Sequence, residues 1–121
     1  MENLALIRIE NLIKKFPMAG NSFTALNDVS VQFEQGEFTG IVGPSGSGKT
    51  TLLNIIGSLD TPSKGSAIVL DQSVGELSHK AAAQLRNKHL GFIFQTYNLL
   101  PVYTVFENVE FPLILLDNSV A

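Results

Sequence analysis

From Phe38 to Gly57 the chain runs FTGIVGPSGSGKTTLLNIIG, and no other stretch limits its possible folds as tightly. Phe38, Thr39, Gly40, Ile41 and Val42 form a short, apolar, partly β-branched run with turn residues directly behind it. That pattern predicts a buried strand. Residues 43–48, GPSGSG, cannot continue a strand and must form a loop. The run from Thr51 to Gly57 then reads as the apolar beginning of a helix. A strand feeding a helix through a glycine loop calls for an α/β architecture.

The spacing inside this unit, G-x-x-x-x-G-K-T over residues 43–50, is that of a phosphate-binding loop. A triphosphate needs many donors at short range, and backbone amides supply them only where no Cβ blocks their approach. Gly43, Gly46 and Gly48 give that clearance, and Ser45 and Ser47 belong to the same binding loop. The positive end of the following helix faces the phosphates. In this pattern Lys49 reaches the β- and γ-phosphates, Thr50 offers its hydroxyl to Mg²⁺, and Thr51 sits near the α-phosphate.

The remaining sequence narrows the class. With 121 residues there is one domain's worth of chain, and 45% hydrophobic against 16% charged residues makes it globular. A net charge of −3, with Lys and Arg scattered, argues against nucleic acid as a main partner. The absence of cysteine excludes disulfides and thiolate metal sites. The opening MENLALIRIENL is unlike a signal peptide, and no apolar run approaches the ~20 residues that span a bilayer. A soluble chain without membrane insertion is expected.

Along the chain, Leu4 to Glu10 alternates as a strand, and FPMAGNS, residues 16–22, reads as a loop. Residues 25–33, ALNDVSVQF, read as a second strand. AIVLD, residues 67–71, reads as another strand, and ELSHKAAAQLRNK as a helix with Ser78 at its N-cap. LGFIFQ, residues 90–95, reads as a strand ending at Gln95, followed by the loop YNLLPVYT. Residues 105–116 are expected to be largely helical despite Pro112.

Taken in order, KKF, ALNDVSVQFEQGEF, GIVGPSGSGKTTLLNIIGSLD and GFIFQTYNLLPVYTVFENV resemble the N-terminal half of an ABC-transporter ATPase subunit. The block FQ-x-x-NLLP-x-x-T-x-x-ENV is similar to the branch serving lipoprotein release and macrolide export. The resemblance covers all 121 residues. It implies residues 1–121 as the N-terminal part of an ABC-type nucleotide-binding domain, from P-loop through Q-loop. The implied fold is an α/β P-loop NTPase with an incomplete core sheet and N-terminal antiparallel strands. It further implies ATP and Mg²⁺ as ligands and Phe16 as the aromatic on which adenine stacks. Gln95 becomes the glutamine that reaches Mg²⁺ and the attacking water, so that Lys49 and Gln95 are the catalytic candidates and Thr50 and Gln95 the metal candidates. Residues 97–105 would receive a membrane permease subunit. The complete protein would work as a homodimer of ATPase subunits, cytoplasmic and peripheral to the inner membrane, coupling ATP hydrolysis to export or extraction.

In the family, the signature motif, the acidic Walker B pair and a switch histidine follow the Q-loop, and none occurs in these 121 residues. AIVLDQ imitates a Walker B strand, yet it follows Thr50 too closely and has no signature before it. Asp71 is therefore read as a turn residue. His79 and His89 match no switch position, and Glu107 and Glu110 read as a solvated helix face. A kinase or a GTPase would need a lid or an N-K-x-D motif, and neither is visible. The alternative to an ATPase subunit is a nucleotide-binding and permease-contacting module without turnover. Sheet edges and the apolar residues Phe106, Val109, Phe111, Leu113, Ile114 and Leu116 are expected to lack partners, which favours a fragment or an oligomer.

Overall fold

A computed structural model describes residues 5–117. Leu4 and the side chain of Leu116 lie outside the described residues. The chain divides into two compact units, Met1–Ala83 and Gln84–Ala121.

The first unit is built on a four-stranded antiparallel sheet of order β2-β1-β3-β4. Its strands are β1 (Ala5–Met18), β2 (Asn21–Glu34), β3 (Lys64–Val69) and β4 (Gln72–Ser73). Both long strands outrun their sequence-level bounds: the expected loop at residues 16–22 shrinks to a two-residue turn, with Phe16 paired to Phe23 and Pro17 to Ser22. Pro17 is tolerated because β3 covers β1 only from Ile7 to Ile13, so beyond that point one side of β1 is an edge that needs no donor.

A bulge sits midway in β1, where the register shifts between Ile9 and Lys14 and Asn11 takes φ +48°. Ser30 Oγ accepts the Asn11 amide at 2.9 Å, and Asn11 Nδ2 donates to Asp28 Oδ1 at 2.8 Å. Gly65 of β3, at φ +81°, lies against the Asn11 carbonyl where a Cβ would overlap it. Only glycine lets the two strands close over this bulge.

Helix α1 (Lys49–Ile56) follows the glycine loop as expected. Ile9, Leu12, Leu26, Ala67 and Val69 from the sheet, Leu52 and Ile55 from α1, and Val74 from a single 3-10 turn are the buried apolar residues of this unit. The AIVLD run ends as a strand at Val69. Leu70 and Asp71, at φ +49° and +64°, form a two-residue hairpin turn between the paired residues Val69 and Gln72. Asp71 is thus an exposed turn residue, as its sequence context indicates.

Helix α2 (His79–His89) begins in the first unit and continues into the second. Its cap is the expected one: Ser78 Oγ accepts the Ala81 amide at 3.1 Å. In the second unit, helix α3 (Val105–Asp117) is headed by a reciprocal capping box. Thr104 Oγ1 accepts the Glu107 amide at 3.1 Å, while Glu107 Oε2 accepts the Thr104 amide at 2.7 Å. Glu107 therefore has a defined structural task beyond lining a wet helix face. Asn108 ties the preceding loop down, accepting the Leu100 amide at 2.8 Å and donating to the Thr104 carbonyl at 2.9 Å.

Two expected strands are absent among the described residues. Residues 38–42 and 90–95 are extended or bent chain without ladder bonds, and Phe38, Val42 and Ile93 are fully or almost fully exposed. Apolar runs of this type suit a strand covered on both faces and paired at both edges. Among the described residues every strand pairs within the antiparallel sheet, and neither segment forms a ladder with a strand. Thr39 and Ile41 instead border an open apolar hollow with Leu6, Phe33, Leu53 and Ile56. The apolar side chains Phe106, Val109, Phe111, Leu113 and Ile114 of α3 are exposed, as expected from the sequence.

Candidate functional site: the phosphate-loop cleft

The glycine loop and the first turn of α1 form a cleft of about 340 Å³, lined by Ser45, Gly46, Ser47, Gly48, Lys49, Thr50 and Thr51 together with Phe23 and Ala25 of β2. The loop turns at residues 44–47, where the Ser47 amide donates to the Pro44 carbonyl at 3.2 Å. Gly48 then starts the helix from the left-handed region, φ 100° and ψ 7°, with no side-chain cap. The first intrahelical bond runs from the Leu52 amide to the Gly48 carbonyl at 2.9 Å. Hence the amides of Lys49, Thr50 and Thr51 have no acceptor within the helix, and they stand at the positive end of its dipole.

Gly48 is fixed in kind by packing as well as by its φ. A Cβ there would come within 2.7 Å of the Ala25 carbonyl oxygen and 2.9 Å of Leu26 Cδ2. At Gly43 an added Cβ would lie 2.9 Å from Ser47 Oγ, so the loop is also tight across its mouth. Gly46, at φ +78°, has open space around it.

Lys49 closes the loop on itself. Its ammonium donates to the Gly43 carbonyl at 2.6 Å, the Pro44 carbonyl at 2.7 Å and Ser47 Oγ at 3.2 Å. Those three contacts use all three donors of the group and hold a positive charge at the cleft with no carboxylate beside it. Among the described residues no carboxylate lines the cleft. Such a donor set suits an anion with several oxygens.

The other sequence candidates are placed unevenly. Phe16 is about one-third exposed and does not line the cleft, whereas Phe23, directly opposite it across the β1–β2 pair, does. Sequence alone does not single out Phe23, because the composition of residues 16–22 is that of a loop. The cross-strand Phe16–Phe23 pairing becomes visible only with the hairpin register. Gln95 belongs to the second unit, where it sits in an exposed bend instead of at a strand end. Among the described residues no cluster of three or more His, Asp or Glu side chains could hold a metal ion. Thr50, exposed at the cleft, has a hydroxyl that could serve a divalent cation as one oxygen ligand. No helix among the described residues is long and apolar enough to cross a membrane.

Comparison with known proteins bears on this geometry. Residues 26–121 match the ABC transporter family. A dimeric MJ0796 ATP-binding cassette in a post-hydrolysis state, bound to ADP and Pi, is 40% identical and superposes with a TM-score of 0.85. That match covers 90% of this chain and 47% of the cassette. A second dimeric MJ0796 structure, described as a bacterial ABC transporter cassette, gives 41% identity and a TM-score of 0.86 over the same shares. The ADP conformation of the MJ1267 cassette is 33% identical, with a TM-score of 0.53 over 62% of this chain and 28% of that one. The chain spans about half the length of the MJ0796 cassettes it matches. Its fold is the P-loop fold of ABC ATPases, and the chain belongs to the ABC transporter family.

Proposed function

We propose that this chain binds ATP, as the N-terminal part of an ABC-type nucleotide-binding domain running from P-loop to Q-loop over residues 1–121. The carrying observation is the cleft itself: it is lined by the first turn of α1, whose amides have no acceptor within the helix, and by Lys49, with no carboxylate lining it among the described residues. Gly43, Ser45, Gly46, Ser47 and Gly48 wrap the phosphates. Lys49 pairs with their terminal oxygens, Thr50 takes Mg²⁺ and Thr51 lies by the first phosphate. Mg²⁺, when bound, neutralises charge on the β- and γ-oxygens. Phe16 offers its face to the adenine, and Phe23 gives the cleft an apolar wall. The ADP and Pi bound in the MJ0796 relative support nucleotide as the ligand.

Turnover requires more than a cradle, because phosphoryl transfer depends on several groups placed around the attacking water. Among the described residues no carboxylate lines the cleft. The reading for the 121-residue chain is accordingly nucleotide binding with very slow hydrolysis. In the complete protein, Lys49 and Gln95 would serve a homodimeric ATPase coupled to export or extraction of a substrate at the membrane. Permease contact through residues 97–105 and a cytoplasmic position on the inner membrane belong to the same proposal. The lipoprotein-releasing and macrolide-export type is favoured by the T-x-x-E-N segment, which here forms a capped and clamped loop–helix junction.

The test pairs calorimetry of Mg·ATP binding with phosphate release on one sample, each against Lys49→Ala. Binding that the substitution abolishes, without release, is the expected result. Release that depends on Lys49 would refute slow turnover, and ATP binding that survives Lys49→Ala would refute the site.

A further inference from the structure

We propose that Lys14 is a positioning residue for the nucleobase: tethered to the end of the phosphate-loop helix, its ammonium sets the plane of the Phe16 ring. The proposal rests on the reading of Phe16 as the adenine platform. Lys14 Nζ pairs with Asp60 Oδ1 at 2.9 Å and donates to the Thr61 carbonyl at 2.8 Å. The same ammonium lies over the Phe16 ring, 5.1 Å from its centroid. Only 12% of the Lys14 side chain is exposed, so both contacts operate in partly desolvated surroundings.

The tether leads back to the phosphate site. Asp60 lies in the turn that follows α1, its amide donating to the Asn54 carbonyl at 3.2 Å and its Oδ1 accepting the Thr61 amide at 2.8 Å. Two of the three ammonium donors are thereby fixed by the segment behind the P-loop helix. A cation held over one face of Phe16 restrains the ring, which keeps about one-third of its surface exposed for a base. Base platform and phosphate loop, carried by different strands and turns, are referred to one frame through a single side chain.

The experiment titrates the full chain with Mg·ATP and with Mg·inorganic triphosphate, comparing wild type, Phe16→Ala, Lys14→Met, Lys14→Arg and Asp60→Asn. Lys14→Met is expected to weaken ATP about 3- to 10-fold while leaving inorganic triphosphate unchanged. Lys14→Arg is expected to restore ATP affinity, since a guanidinium keeps both the carboxylate and the ring contact. Asp60→Asn keeps the cation but slackens its tether, and it supplies the same selective loss should Lys14→Met fail to fold. Equal weakening of both ligands, or unchanged ATP affinity beside a selective loss in Phe16→Ala, overturns the positioning role. If Phe16→Ala itself leaves the ATP-to-triphosphate ratio intact, the stacking reading fails, and the role of Lys14 fails with it.

Discussion

Comparing substitutions at Gly48 and Gly46 separates a packing cost from a backbone-conformation cost. Gly48→Ala must place an L-residue at φ +100°, which costs about 1–2 kcal/mol in the left-handed region. Its Cβ also meets the Ala25 carbonyl oxygen at 2.7 Å and Leu26 Cδ2 at 2.9 Å. The first neighbour is backbone and the second belongs to a buried side chain, 6% exposed, so neither can swing aside freely. Overpacking of this kind adds about 1–3 kcal/mol. Gly46→Ala, at φ +78° with nothing within 4 Å, bears only the conformational cost. Gly48→Ala should therefore be less stable than Gly46→Ala by about 1–3 kcal/mol, a gap of at least roughly 4 °C in Tm for a domain of this size. Urea unfolding followed by circular dichroism measures both variants under one buffer, with equal m-values required for the comparison. Indistinguishable midpoints would show that the β2 backbone yields to the new methyl group, and the packing argument at Gly48 would be wrong.

Two further expectations follow from local geometry. Thr104→Ala removes the hydroxyl that caps α3 and should cost about 1 kcal/mol locally. Hydrogen exchange should then speed up at the Glu107 amide, and unchanged protection there would dismiss the capping box. Asp71→Gly should leave Mg·ATP affinity unchanged and hold or raise the unfolding midpoint, because the residue occupies a left-handed turn position that glycine adopts without strain. A selective loss of Mg²⁺-dependent binding in that variant would restore Asp71 as a metal ligand.

Much of the first unit can be read from local chemistry, and the failures have a common cause. The loop-to-helix transition at Gly48, the Ser78 cap and the turn at Asp71 are settled within a few residues, so the sequence carries them openly. Residues 16–22 were misjudged because Pro and Gly mark turns only statistically. Whether Pro17 breaks a strand depends on which neighbour lies beside it, and β3 stops short of it. Residues 38–42 and 90–95 illustrate the converse. Their apolar, β-branched character suits a strand, but a strand is a relation between segments, and among the described residues neither segment is hydrogen-bonded into a ladder. At the site, Lys49 and the glycines were legible from spacing alone. Phe23 was not, since its place at the cleft follows from cross-strand register.

The self-bonded lysine has a consequence for how ligand arrives. A loop that satisfies its own ammonium with the Gly43 and Pro44 carbonyls is held in a cradle shape by its own chain. On the proposed function, binding at the loop amounts to swapping acceptors around one cation. Little chain entropy has to be surrendered at that step. Discrimination among phosphates falls to how well their oxygens compete with two backbone carbonyls.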